Sequence, residues 1–246
     1  MIYLTGDIHG HIDVSRLSYK NNPVTKNLTE EDYLIILGDF GLIWNKQASP
    51  EEKYWLEWLN NKPWTTLVID GNHENFDRLW DKEEFPDIEF CGATASKIRD
   101  KIILLHRGEI YNIENQKILV MGGGDSVDKQ YRQENISWWP QETITSSDIT
   151  KAFLNLKKYD SEVDYVLTHD CPAFLLPMCF QEMLFPPGES SKRLELLSKN
   201  IQFKRWYFGH LHIDTREEFF FEEFPHDKYQ GLFRMITKLG GGYRDA

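Results

Sequence analysis

The chain alternates between short, densely apolar runs and polar breaks that carry glycine, asparagine or proline. Residues 2–4, 33–37, 65–70, 163–167 and 203–208 are apolar runs of strand length, each bounded by turn-forming residues. Stretches of helical spacing lie between the first three. Residues 12–21 mix charged and apolar positions, with Ile12, Leu17 and Tyr19 as the buried candidates and Asn22-Pro23 as the stop. Ser49 and Pro50 have the N-cap and first-turn chemistry of a helix start, and that helix runs through Leu59 to Pro63. Its aromatic residues Tyr54, Trp55 and Trp58 read as packing residues. Residues 75–80 form a further helical stretch. Three successive strand, polar turn and helix units predict an α/β fold with parallel pairing.

The middle of the chain has a different texture. Residues 102–105, 108–113 and 117–121 are short strands at close spacing, with Asn115-Gln116 as a hairpin turn, and they predict antiparallel pairing. Gly122-Gly123-Gly124-Asp125 opens a polar segment, residues 126–135, which Trp138-Trp139-Pro140 follows. The glycine triplet has neither the GxxxxGK[ST] context of a phosphate-binding loop nor a GxGxxG fingerprint, so it reads as a loop bordering a site. Residues 145–159 form a helix with Ser147 or Asp148 near its cap, residues 184–188 a loop, and residues 191–200 a helix carrying Leu194, Leu196 and Leu197. Phe219-Phe220-Phe221 reads as strand completing a sheet. No repeat or low-complexity linker divides the chain, which predicts one domain over residues 1–246.

Composition narrows the function classes. At 41% hydrophobic residues the chain is globular. Its 39 acidic against 28 basic residues, net charge -11, argue against general nucleic-acid binding. A small phosphorylated substrate stays open, because bound metals reverse the local field. Cys91, Cys171 and Cys179 form no CxxC pair and fit a reducing compartment. No apolar run approaches the roughly 18 residues of a membrane span, and the start lacks a leader pattern. The expectation is a soluble, cytoplasmic protein with no membrane partner; nothing in the pattern sets its oligomeric state.

Five apolar runs each end in groups suited to metals: Asp7 and His9, Asp39, Asn72 and His73, His169, and His210 with His212. Alternate residues of an extended segment share a face, which aims Asp7 and His9 the same way. In parallel sheets ligands gather beyond the carboxyl ends of strands, so Asp7, His9, Asp39, Asn72 and His73 belong to one crevice. A lone histidine is ordinarily a hydrogen-bonded surface or core residue, but here five of eight stand at strand ends. Nitrogen and oxygen ligands without cysteine favour Mn, Fe, Zn or Co. More than four such ligands partition into two divalent metal ions sharing one carboxylate.

The motifs Gly6-Asp7-Ile8-His9-Gly10, Gly38-Asp39, Gly71-Asn72-His73-Glu74, the His169 segment and Gly209-His210-Leu211-His212 resemble, in order, those of the calcineurin-like metallophosphoesterase superfamily. The resemblance implies a four-layer α/β/β/α sandwich of two mixed sheets flanked by helices, with a dimetal site at strand C-terminal ends. It also implies a hydrolase that cleaves phosphoesters by in-line attack of a metal-bridging hydroxide. By resemblance, Asp7, His9 and His212 hold one metal, Asn72, His169 and His210 hold the other, and Asp39 bridges them. His73 would contact the phosphate and protonate the leaving oxygen. One departure matters: family members often follow the second motif with an acid and an arginine, whereas here Asp39 precedes Phe40-Gly41-Leu42-Ile43-Trp44. A protein serine/threonine phosphatase is disfavoured on that ground. A non-catalytic binding module is disfavoured by the full set of candidate ligands. The candidates for binding phosphate are then Arg132 or Arg107, each also readable as a surface arginine with no such role, and His11 of the first loop, also readable as a solvated turn residue. The expected substrate is a small phosphoester or nucleotide, under a loop carrying Arg132 and the Trp138-Trp139 pair.

Overall fold

Leu34 and Ile36 face one side of their strand and Ile35 and Leu37 the other, yet all four are fully buried. A strand covered on both faces needs an unbroken apolar run, which is why these segments do not alternate with polar residues. In the computed structural model, which describes residues 1–180, 186–215 and 224–241, the described residues form two such covered sheets.

The first sheet contains β1 (Ile2–Thr5), β2 (Tyr33–Leu37), β3 (Thr65–Ile69), β4 (Asp87–Phe90), β5 (Ala93–Arg99) and β6 (Ile102–Leu105). The second contains β7 (Ile110–Ile113), β8 (Gln116–Met121), β9 (Tyr165–Thr168), β10 (Arg205–Phe208) and β11 (Tyr229–Gly231). The chain then returns to the first sheet as β12 (Thr237–Lys238), giving the orders β12-β1-β2-β3-β6-β5-β4 and β11-β10-β9-β8-β7. β1, β2, β3 and β6 pair in parallel, as do β8, β9, β10 and β11, while β4, β5, β7 and β12 pair antiparallel. Both sheets are therefore mixed.

One apolar cluster fills the space between the sheets, joining Leu4, Leu37 and Ile69 to Val120, Leu167 and Tyr207. Helix α1 (Pro50–Asn60) covers the outer face of the first sheet through Leu56 and Leu59. The short α2 (Phe76–Leu79) follows β3 and adds Leu79 to the same cluster. α3 (Ser146–Leu156) covers the second sheet through Ile149, Ala152 and Leu156. After the one-turn α4 (Leu176–Cys179), α5 (Glu189–Ser198) adds Leu194 and Leu197 to that layer. The result is the four-layer α/β/β/α sandwich.

Several local expectations are corrected. Residues 12–21 form no α-helix but two 3₁₀ turns, Gly10–Ile12 and Val14–Leu17, and only Leu17 of the three candidates is buried. Ser15 and Ser18 there bond to the Asn21 amides, which offers the backbone an alternative to a helix ladder. Tyr54 is exposed, its ring edge-on to Trp55, while Trp55 and Trp58 pack on the core. Thr145, not Ser147, caps α3 in a capping box with Asp148. The β7–β8 turn falls one residue earlier, on Glu114 and Asn115, both at positive φ. β4 and β5 were not expected. Their residues, Asp-Ile-Glu-Phe and Ala-Thr-Ala-Ser-Lys-Ile-Arg, are half-polar because β4 is the edge strand and β5, paired beside it, is only partly covered. The expected strand at Phe219-Phe220-Phe221, and part of the loop at 184–188, lie outside the described residues.

Candidate metal centre

The parallel strands β1, β2 and β3 of one sheet and β9 and β10 of the other deliver their C-terminal ends to a common edge. Backbone geometry there is tight. A Cβ on Gly38 (φ +91°) would sit 2.2 Å from His169 Nδ1, and one on Gly209 would sit 2.4 Å from Asp7 Oδ1. His9, Asp39, His210 and His212 all adopt positive φ, between 42° and 61°. Left-handed backbone is uncommon for such residues, and its concentration at one edge marks a site where the fold imposes conformation. It also corrects the sequence-based picture of the first motif. His9 faces the same crevice as Asp7 because its backbone is left-handed, not because the strand continues.

Asp7, His9, Asp39 and His212 bring ligand atoms within 4.8 Å of one another. His212 Nε2 lies 3.1 Å from Asp7 Oδ2, and His9 Nε2 lies 3.4 Å from Asp39 Oδ2. On the other side of Asp39, His169 Nε2 lies 3.3 Å from Oδ1 and 3.0 Å from Asn72 Oδ1. The His210 ring sits 4.8 Å from that of His169, edge-on. His11 stands outside this group, mostly exposed, with Nδ1 3.6 Å from Glu51.

Two features test whether these residues suit cations. Asp7 Oδ2 is buried and no donor is aligned to it, although Oδ1 accepts the His210 N–H at 3.0 Å. His169 Nδ1 lies 2.8 Å from the Leu37 carbonyl. With a cation in the site the ring would be neutral, donate there and turn its Nε2 lone pair toward Asn72 Oδ1 and Asp39 Oδ1. One imidazole nitrogen with an amide oxygen 3.0 Å and a carboxylate oxygen 3.3 Å away is a donor set well matched to a divalent cation. The residues fit.

Asp39 is fully buried, which would raise its pKa, yet the charge of His169, the hydrogen bond from His9 and the charge of His73 hold it well below the usual carboxylate range. Glu74, also fully buried, accepts the Phe40 and Gly41 N–H groups at 2.7 and 3.2 Å and so locks the loop after Asp39. Burial and the Asp39 charge push its carboxyl up. His73 donates its backbone N–H to Asp39 Oδ1 at 2.8 Å. Its ring is stacked with Trp44 (centroids 6.1 Å, 29°) and has the Arg132 guanidinium nitrogens 3.4 and 3.5 Å away. Burial and Arg132 lower the His73 pKa against the pull of Asp39. Arg132 itself is anchored by Asp128 at 2.8 Å.

Other expectations are redistributed. Arg107 is buried against Asp70 and bonds the Thr143 and Glu142 carbonyls at 3.2 Å, so it braces the fold instead of facing the crevice. Leu42 belongs to the core, which explains why no acid stands there. Trp139 is buried and donates to Asp77 at 2.9 Å. The aromatic neighbour of His73 is Trp44, which sequence reasoning quoted but gave no role. Ser126 and Glu142 were missed; neither carries a motif, and only the folded loop brings them behind Asn72. Beside His210 and His212 opens a cleft of about 650 Å³, walled by Val127, Leu176, Phe180 and Leu211.

Comparison with known proteins adds the family. The calcineurin-like phosphoesterase family matches residues 1–214. This chain belongs to that family. The candidate ligands Asp7, His9, Asp39 and His212 all lie within the matched residues. No curated protein matches it. Among solved structures, a Staphylococcus aureus protein provisionally described as a 5'-nucleotidase, solved with alpha-ketoglutarate, is similar at 17% identity and a TM-score of 0.49. The match covers 96% of this chain and 49% of that one, so the chain spans about half the length of that structure. Among the described residues, no helix is long and apolar enough to cross a membrane.

Proposed function

We propose that this protein is a metal-dependent phosphoesterase that hydrolyses small phosphoesters or nucleotides at a centre of two divalent ions. Asp7, His9 and His212 would hold one ion, Asn72, His169 and His210 the other, with Asp39 between them. The observation that carries this reading is the division of Asp39: Oδ2 faces His9 and Oδ1 faces His169. When bound, the two ions would neutralise phosphoryl charge and activate water for attack on phosphorus. The chain's own part is to orient. Left-handed backbone at His9, Asp39, His210 and His212 fixes the ligand directions, and Glu74 holds the loop that carries Asp39. His73, clasped by Trp44 and Arg132, stands next to the centre with its ring 5.5 Å from that of His9. It would give a proton to the leaving oxygen, and Arg132 would take a phosphate oxygen through its planar fork. A cleft of about 650 Å³ is in the range of small-molecule sites and supports a small substrate over a folded phosphoprotein.

The test is a panel of aryl monoesters, diesters, nucleotides and a phosphoprotein, assayed on metal-stripped protein reloaded with Mn, Fe, Zn or Co. The expected result is metal-dependent turnover of the small substrates. Arg132→Ala should lower kcat/KM by roughly tenfold or more, with metal content unchanged. Preference for the phosphoprotein, with unchanged small-substrate kinetics in Arg132→Ala, would overturn the substrate reading.

A further inference from the structure

Glu142 is fully buried and touches none of the candidate ligands, yet one hydroxyl connects it to Asn72. Its Oε1 accepts the Ser126 backbone N–H at 2.7 Å, and its Oε2 accepts the Ser126 hydroxyl at 2.7 Å. Ser126 Oγ in turn accepts a proton of the Asn72 amide nitrogen at 3.0 Å. The far side of that amide, Asn72 Oδ1, faces His169 Nε2.

The charge on Glu142 sets the polarity of this chain of bonds. A carboxylate can only accept, so the single hydroxyl proton of Ser126 is committed to Glu142. The Ser126 oxygen is then left as an acceptor, and only the NH₂ end of Asn72 can satisfy it. The carbonyl end of Asn72 is thereby turned toward the crevice. An asparagine amide is nearly symmetric in shape and can present either end to a neighbour. A cation is served by the oxygen and repelled by the NH₂ group. The loop holding this relay is fixed from behind: the Glu142 carbonyl accepts the Gly124 N–H at 3.0 Å and an Arg107 guanidinium nitrogen at 3.2 Å.

We infer that Glu142 and Ser126 are positioning residues that set the amide of Asn72 oxygen-first toward one of the two ions, and so govern occupancy of that ion alone. The inference rests on the proposed role of Asn72 as a ligand.

Two substitutions separate orientation from packing. In Glu142→Gln, the carbonyl oxygen must stay on the Ser126 N–H. The amide NH₂ therefore replaces Oε2 and donates to the Ser126 oxygen. The Ser126 proton then points at Asn72 and favours the flipped, NH₂-first amide. In Ser126→Ala the relay is merely cut, and Asn72 loses its guide without being reversed. Ser126→Ala keeps the backbone N–H bond to Glu142. In the double variant the reversed glutamine has no hydroxyl through which to act.

The experiment is Mn²⁺ titration of the full chain, read by metal analysis and by the electron paramagnetic resonance signature of a coupled pair against a single ion. Thermal melting of the metal-free proteins runs beside it. The parent is expected to bind two ions as a coupled pair. Ser126→Ala should weaken one ion roughly 10–100-fold, the usual effect of losing an outer-shell partner, and leave the other. Glu142→Gln should weaken the same ion further, and the double variant should return to the level of Ser126→Ala. Glu142→Gln binding both ions like the parent, or a double variant worse than either single one, would overturn the relay. So would a fall in metal-free Tm large enough to account for the loss, which would assign Glu142 to packing. A parent binding fewer than two ions would instead overturn the dimetal reading beneath it.

Discussion

The two oxygens of Asp39 are not equivalent. Oδ2 lies 3.4 Å from His9 Nε2, whereas Oδ1 lies 3.3 Å from His169 Nε2 and accepts the His73 N–H. Removing its charge should therefore disturb both halves of the centre, while Asp7→Asn or Asn72→Ala should disturb one. The expected stoichiometry by metal analysis is fewer than one ion per chain for Asp39→Asn and about one for each of the other two, on the two-metal partition. Full activity with two tightly held ions in Asp39→Asn would exclude a bridging role. His73 makes a different prediction, because its ring lies beside the ligands without closing the cluster. His73→Ala should keep its metals and lose turnover by about 10²–10⁴-fold. The loss should be greater for alkyl than for aryl phosphoesters, since a basic leaving oxygen depends more on a donated proton. Equal losses would make His73 a phosphate-positioning group.

At the scale of elements, what was legible depended on whether a segment's burial was two-sided. β2, β3, β6 and β8 are covered on both faces, so their apolar runs could be read directly, and the polar groups at their ends stood out. The edge strand β4 and the partly covered β5 beside it left no such mark. The left-handed turns at His9 and His210 were equally invisible, because φ is set there by the meeting of two sheets and not by local propensity. Ser126 and Glu142 lie in a loop whose composition resembles any polar connection, and their link to Asn72 exists only in three dimensions. These two strands carry a consequence for pH. His106, after β6, packs against Ser96 Oγ of β5 at 2.7 Å and lies 3.5 Å from Lys82 Nζ. Burial, then the charge of Lys82, lowers its pKa to about 4, against the opposing effect of Asp87. The unfolded chain, with an ordinary histidine near 6.5, takes up this proton first. Stability from a neutral His106 is thus complete above about pH 6.5 and is lost as pH falls toward 4. Urea unfolding at several pH values should give a shallower decline over that window in His106→Asn than in the parent. Parallel curves would show that His106 does not contribute to the acid sensitivity.

At the scale of the whole molecule, the crevice exists only while two sheets keep their alignment, and one buried ion pair stands where they join. Arg107 lies in the passage from β6 in the first sheet to β7 in the second. It meets Asp70 at the end of β3, and the exposures of the two side chains are 4% and 2%. The same guanidinium bonds the carbonyls of Thr143 and Glu142 in the segment leading to α3, and Asp70's own carbonyl accepts the Gly123 N–H at 2.8 Å. The connections after β3 and β8, which carry Asn72, His73, Ser126 and Arg132, are therefore tied to one side chain. Both charges have already lost their water, so truncating the arginine leaves Asp70 buried without its partner. Breaking a buried pair in this way costs about 3–5 kcal/mol, far more than the pair contributes relative to apolar replacements. Arg107→Ala should lower the unfolding free energy by about that amount, seen in urea as a lower midpoint with an unchanged slope. Adding Asp70→Asn should recover part of the loss, because the second change removes the stranded charge. A loss below about 1 kcal/mol in Arg107→Ala, the range of exposed pairs, would mean that water reaches Asp70 and that the sheets are held by their shared apolar core alone.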